Sequence, residues 1–181
     1  MNEKILKIIN LFKKNEYDKA LKLCDEIKDN SVKHIIYNIK GSIYHKKHRP
    51  ELSKENLLKS IEIKSDYIEA YKNLYLVSLE NRNYNDAIKY IKELINLEKN
   101  INPISSYQLG LVYEMKGNFT DAIENYKISD KLGFKDRKIL FNNLGNAYLH
   151  NKNVNEAEHY FLKSLEFDNS NLTVLDNLFN F

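Results

Sequence analysis

The sequence predicts an all-α chain of repeated helical hairpins, and three observations carry that expectation. A pattern of small and aromatic residues recurs every 33 to 35 residues, a period that belongs to repeat architectures. Each recurrence holds two apolar stretches at helical spacing, separated by a short polar break. Glycine and proline number only 5 and 2 in 181 residues, too few for the turns of a β-sandwich or barrel. With 43% hydrophobic and 29% charged residues, the chain has the apolar content for a packed core and does not read as disordered.

The elements follow in order. Frames open at Met1, His34, Ile68, Pro103 and Lys138, so the expected units are 1–33, 34–67, 68–102, 103–137 and 138–171, within one domain 1–181. The polar breaks that turn one helix back on the next are Lys14-Asn15-Glu16, Lys47-His48-Arg49-Pro50, Asn81-Arg82-Asn83, Lys116-Gly117-Asn118 and Lys152-Asn153. Pro50 stands where a second helix begins, a position its missing N–H tolerates. Residues 172–181 place Leu172, Leu175, Leu178 and Phe179 on one helical face, as a short C-terminal cap requires.

The columns have a steric reason. One reads Ala20, Ser53, Ala87, Ala122, Ala157, small throughout; a second reads Ile8, Gly41, Tyr75, Gly110, Gly145; a third reads Cys24, Leu57, Ile91, Tyr126, Phe161. Where two helices cross closely, a side chain larger than methyl forces the backbones apart, and large residues nearby fill the remaining space. Leu109-Gly110, Tyr113, Gly117-Asn118-Phe119, Ala122 and Tyr126, then Leu144-Gly145, Tyr148, Ala157, Phe161 and Ser164, resemble the tetratricopeptide repeat, a helix-turn-helix unit of about 34 residues. The resemblance spans about residues 1 to 171. The first two units depart most, with Ile8 for Gly, Ser53 for Ala and Pro50 for an aromatic residue.

The resemblance implies a right-handed superhelical solenoid of antiparallel helix pairs, whose first helices line a concave groove. That groove stripe runs from Asn2, Ile5, Ile9 and Phe12 through the later first helices, and its apolar content exceeds that of a face meant only for water. The residues expected to bind a partner are Asn38, Lys72, Leu76, Leu79, Tyr107, Leu111, Asn142 and Asn146, with the asparagines holding backbone amides of an extended or helical segment. The alternative at the same positions is packing between adjacent first helices. The family's carboxylate clamp is not reproduced. Its places fall on Asn38, Ser42, Asn73, Ile104 and Gln108 in one window and on Lys72, Leu76, Gln108, Ile139 and Asn143 in the next, and only Asn73 and Lys72 fit.

The expected function is therefore a non-catalytic protein-interaction adaptor with a protein or peptide partner and no cofactor. The alternative is a structural protein that self-associates through the apolar groove or the C-terminal edge. Net charge is +3, and the basic excess is N-terminal: residues 1–67 carry 15 Lys and Arg against 10 Asp and Glu. The run His45-Lys46-Lys47-His48-Arg49 reads as a solvated turn, with an acidic partner as its functional alternative. Only three arginines are present and the aromatics fall on core columns, so nucleic acid is not the expected ligand. The pairs His45/His48 and His150/His159 lack metal-ligand surroundings, Cys24 falls in an apolar column, and no phosphate loop or nucleophile elbow occurs. A single cysteine excludes an internal disulfide, and no secretory signal or membrane-length apolar run appears, so a cytoplasmic location is expected.

Overall fold

The computed structural model describes residues 3–167 together with Val174 and Asp176. Asn2 and, apart from those two residues, the expected cap at 172–181 lie outside the described residues. The described residues form ten α-helices and one 3₁₀ turn, with no strand: α1 (Glu3–Lys13), α2 (Tyr17–Asp25), the turn (Asn30–Val32), α3 (Lys33–Lys46), α4 (Pro50–Ile63), α5 (Ile68–Glu80), α6 (Tyr84–Leu97), α7 (Pro103–Met115), α8 (Phe119–Lys131), α9 (Arg137–His150) and α10 (Val154–Leu165). Pro50 opens α4 and Pro103 opens α7, the first-turn positions where proline loses no hydrogen bond.

Every polar break folds the same way. Asn15, His48, Arg82, Gly117 and Lys152 take φ of 59, 54, 57, 81 and 62°. The residue after each sends its N–H back five residues: Glu16 to Leu11, Arg49 to Tyr44, Asn83 to Ser78, Asn118 to Tyr113 and Asn153 to Tyr148, at 2.8–2.9 Å. This is the Schellman closure, in which a left-handed residue lets the chain satisfy the last carbonyls of the first helix before the second begins. Four of the five positions are not glycine, although a Cβ in that region costs about 1–2 kcal/mol.

The chain packs as two compact units, Met1–Tyr90 and Ile91–Phe181, with the division inside α6. In the first unit α1 packs on α2 and α3, and α4 packs on α3 and α5. In the second, α8 packs on α7 and α9, and α9 on α10. The small columns sit at the crossings. A Cβ on Gly41 would lie 2.5 Å from Leu57 Cγ, one on Gly110 2.6 Å from Tyr126 Cδ1, and one on Gly145 2.5 Å from Phe161 Cδ1. Leu57, Tyr126 and Phe161 are fully buried, each worth about 1.5–3 kcal/mol of transfer free energy. At the opening crossing the sizes are exchanged: Ile8 stands in the glycine column, Cys24 in the large one, and both belong to one buried cluster with Ile5, Ala20, Ile36 and Ile43. Burial pushes the Cys24 thiol up to about 11, so it remains a neutral packing group.

Serine hydroxyls close the hairpins at their open end. Ser60 donates to the carbonyl of His34, Ser129 to that of Pro103 and Ser164 to that of Lys138, at 2.7–2.8 Å. Each links the last turn of a second helix to the start of its own first helix. Ser53, standing in the alanine column, donates to the Gly41 carbonyl at 2.8 Å, so its buried hydroxyl is satisfied.

Candidate functional site

The stripe on the first helices follows from helical geometry. Spacings of three and four residues bring Ile104, Tyr107, Leu111 and Glu114 to one side of α7, and Ile139, Asn142, Asn146 and Leu149 to one side of α9. The two stripes meet within the second unit, because Asn143 Nδ2 on α9 donates to the Tyr107 hydroxyl on α7 at 2.8 Å. Ile104 is 54% exposed and Ile139 42%, while Leu111, Asn142 and Asn146 are half-buried. The Asn142 Oδ1 atom is shielded from solvent and has no donor.

Tyr107 is more deeply engaged than a free recognition side chain. Its ring stacks on Phe134 with centroids 4.5 Å apart and lies 5.6 Å from the ring of Tyr126. Burial raises its hydroxyl pKa, with the hydrogen bond from Asn143 working in the opposite sense. Tyr126 in turn donates to Glu114 Oε2 at 2.5 Å, and burial raises the pKa of both groups. A connected polar chain, Asn143–Tyr107 beside Tyr126–Glu114, thus underlies the stripe of α7.

In the first unit the corresponding positions separate. Asn38 on α3 is buried, and its Oδ1 accepts from Asn73 Nδ2 on α5 at 2.8 Å; the same Nδ2 reaches Ser42 Oγ at 3.1 Å. Asn38 therefore ties α3 to α5 from within. On α5, Leu76 is 41% exposed, Lys72 is exposed and Leu79 is half-buried. Sequence reasoning singled out Asn38 but missed the pattern it belongs to. Asn73 and Asn143 hold the same place in their units, and each donates to the residue one place earlier in the preceding first helix, Asn38 or Tyr107. Reading the frame one column further exposes that repetition.

The basic turn is partly neutralised. His45 Nε2 lies 2.7 Å from Glu80 Oε2, and Lys47 Nζ lies 2.6 Å from Asp18 Oδ1, where the lysine lowers the carboxyl pKa. Lys46, His48 and Arg49 remain exposed. Among the described residues no group of three or more His, Cys, Asp or Glu side chains is placed to hold a metal, and no helix is long and apolar enough to cross a membrane.

Comparison with known proteins agrees with this geometry. Two tetratricopeptide-repeat family models match, one over residues 35–67 and one over residues 139–171. The human tetratricopeptide repeat protein 6 is 35% identical over 68 residues, 38% of this chain but only 13% of that protein's length. Among solved structures, a crystal structure of MamA superposes with a TM-score of 0.77 at 23% identity, covering 96% of each chain. YrrB, described as a TPR protein with an unusual peptide-binding site, gives a TM-score of 0.79 at 18% identity over 96% of this chain and 89% of its own. Recurrent hairpins, glycine and alanine crossings, repeated Schellman turns and these matches converge: the chain carries tetratricopeptide repeats, matched at residues 35–67 and 139–171, in a helical-repeat fold.

Proposed function

We propose that the chain is a non-catalytic adaptor that binds a protein segment on the paired stripes of α7 and α9. The observation that carries this reading is the exposure of Ile104 and Ile139 beside Leu111, Asn142 and Asn146, on two helices held together by the Tyr107–Asn143 bond. Side-by-side aliphatic groups among amide side chains suit a segment that offers apolar residues and backbone hydrogen-bond groups together. Tyr107 supports this face from beneath, through Phe134 and Asn143, as well as adding to it. The peptide-binding description of YrrB supports the same reading at the level of the fold. The first unit offers its own smaller face in Lys72, Leu76 and Leu79 of α5, with Asn38 beneath it.

A random heptapeptide library selected on the immobilised chain tests the proposal. Ile104→Ser with Leu111→Ser should weaken the selected peptides at least about tenfold, or about 1.4 kcal/mol. Lys46→Glu, an exposed change in the basic turn, should leave them within about twofold. Equal binding by the double variant, or loss of binding in Lys46→Glu alone, contradicts the reading. If the apolar stripe instead serves self-association, the parent's mass will rise with concentration and the double variant's will not.

A further inference from the structure

Glu114 is the one charged residue on the stripes of α7 and α9, and its setting gives that charge no ion-pair partner among the described residues. The side chain is half-buried, and the Tyr126 hydroxyl on α8 donates to Oε2 at 2.5 Å. The groups that face it are Tyr126 of α8, Tyr107 of its own helix and His150 of α9. His150 acts on the carboxylate in the opposite sense to burial but forms no ion pair with it, and its ring is stacked on Phe119, centroids 4.9 Å apart. A single neutral donor does not replace the water that a carboxylate loses on burial.

The surroundings fit one kind of visitor. Leu111 lies one turn before Glu114 on the same stripe, and the adjoining Met115 is 54% exposed. An aliphatic stem can lie along these groups while a terminal cation reaches the carboxylate, the way long basic side chains cover apolar surface. A guanidinium or ammonium there would supply the charge-assisted partner that the chain's own residues do not. We infer that the segment bound on α7 and α9 presents an arginine or lysine side chain to Glu114. This rests on the peptide-binding reading above, and adds to it the charge of the residue at that subsite.

The test uses the same random heptapeptides, selected in parallel on the parent, Glu114→Gln and Glu124→Gln. Gln at position 114 keeps an acceptor for Tyr126 without the charge, and Glu124 is an exposed carboxylate on α8 that serves as the control. Peptides taken by the parent and by Glu124→Gln should be enriched at least about fivefold in Arg and Lys at one position, and those taken by Glu114→Gln should lose the enrichment. Replacing that arginine by citrulline, its neutral isostere, should weaken parent binding at least about tenfold and Glu114→Gln binding less than about twofold. Peptides that shift the Ile104, Leu111 and Ile139 methyl resonances without basic enrichment, or with enrichment retained by Glu114→Gln, overturn this inference and leave the peptide-binding reading standing. Peptides that leave those methyls unmoved, or a selection that yields none, overturn both.

Discussion

The two compact units repeat one hairpin but secure it by different means. In the first, α2, α3, α4 and α5 begin without a side-chain cap, whereas Asn83 caps the start of α6 by accepting from the Asp86 N–H. Cross-helix ion pairs tie the surface of this unit: Lys40 with Asp25, Lys47 with Asp18, His45 with Glu80 and Lys54 with Asp86. In the second, each of α7, α8, α9 and α10 begins with a cap, the side chains of Asn102, Asn118, Asp136 and Asn153 accepting from backbone N–H groups. Its crossings put aromatic rings, Tyr126 and Phe161, against Gly110 and Gly145. A cap satisfies a backbone donor that otherwise lacks a partner, at about 0.5–2 kcal/mol, whereas an exposed ion pair contributes about 0–1 kcal/mol and is screened by salt. The period alone thus sets the fold in both units, while the second has the more salt-independent means of holding it.

The largest expected effect breaks the second unit at its tightest crossing. Gly145→Ala places a methyl 2.5 Å from the fully buried Phe161 ring, and should cost about 1–3 kcal/mol in chemical denaturation. A variant as stable as the parent would mean that the aromatic–glycine crossing is not what holds this unit. Next come the caps. Asn153→Ala should cost about 1 kcal/mol. Arg49 stands at the equivalent place with φ −119° and ψ 75°, close to the −106° and 81° of Asn153, so Arg49→Asn should transfer a cap to the first unit and gain up to about 1 kcal/mol. Opposite signs for the two substitutions sharpen the contrast; a loss in both would dissolve it.

Two smaller effects concern charge. Burial raises the Glu114 carboxyl above its ordinary 4.5, so its contribution to stability is present below that value and is lost as pH rises through the raised one. Melting curves of Glu114→Gln, neutral throughout, should therefore lie above the parent at pH 7 and converge with it near pH 4. A parent that melts higher at pH 7 would contradict a carboxylate without a cation. Smallest of all, raising ionic strength should speed hydrogen exchange in α2–α5 more than in α7–α10, by the equivalent of about 0.5 kcal/mol, because screening acts on exposed pairs and hardly on caps.

Much of this was legible in the sequence, for particular reasons. Gly110 and Gly145 recur at the repeat period because each faces a large residue sixteen positions on, so one spatial contact leaves two columns. The polar breaks were visible as breaks, but His48, Arg82 and Lys152 do not advertise a left-handed backbone, since closure of the preceding helix, and not the side chain, sets that conformation. Ser60, Ser129 and Ser164 read as small residues on a second helix. Their bond to a carbonyl 26 residues earlier becomes evident only when the hairpin is closed. At the candidate site, periodicity marked Ile104, Leu111 and Asn142 as one stripe, yet it could not separate Asn38, whose side-chain Oδ1 is taken by Asn73, from Asn142, whose Oδ1 is shielded without a donor. That distinction depends on which neighbouring helix supplies a donor, a property of packing between repeats and not of the repeat itself.

Methyl resonances of the parent chain, followed while a library-selected heptapeptide is titrated in, test the central claim most directly. The account predicts saturable shifts at Ile104, Leu111 and Ile139, with Ile128 of α8 and Leu162 of α10, also exposed, left in place. Shifts confined to Ile128 and Leu162 would put the binding surface on the second helices and contradict it.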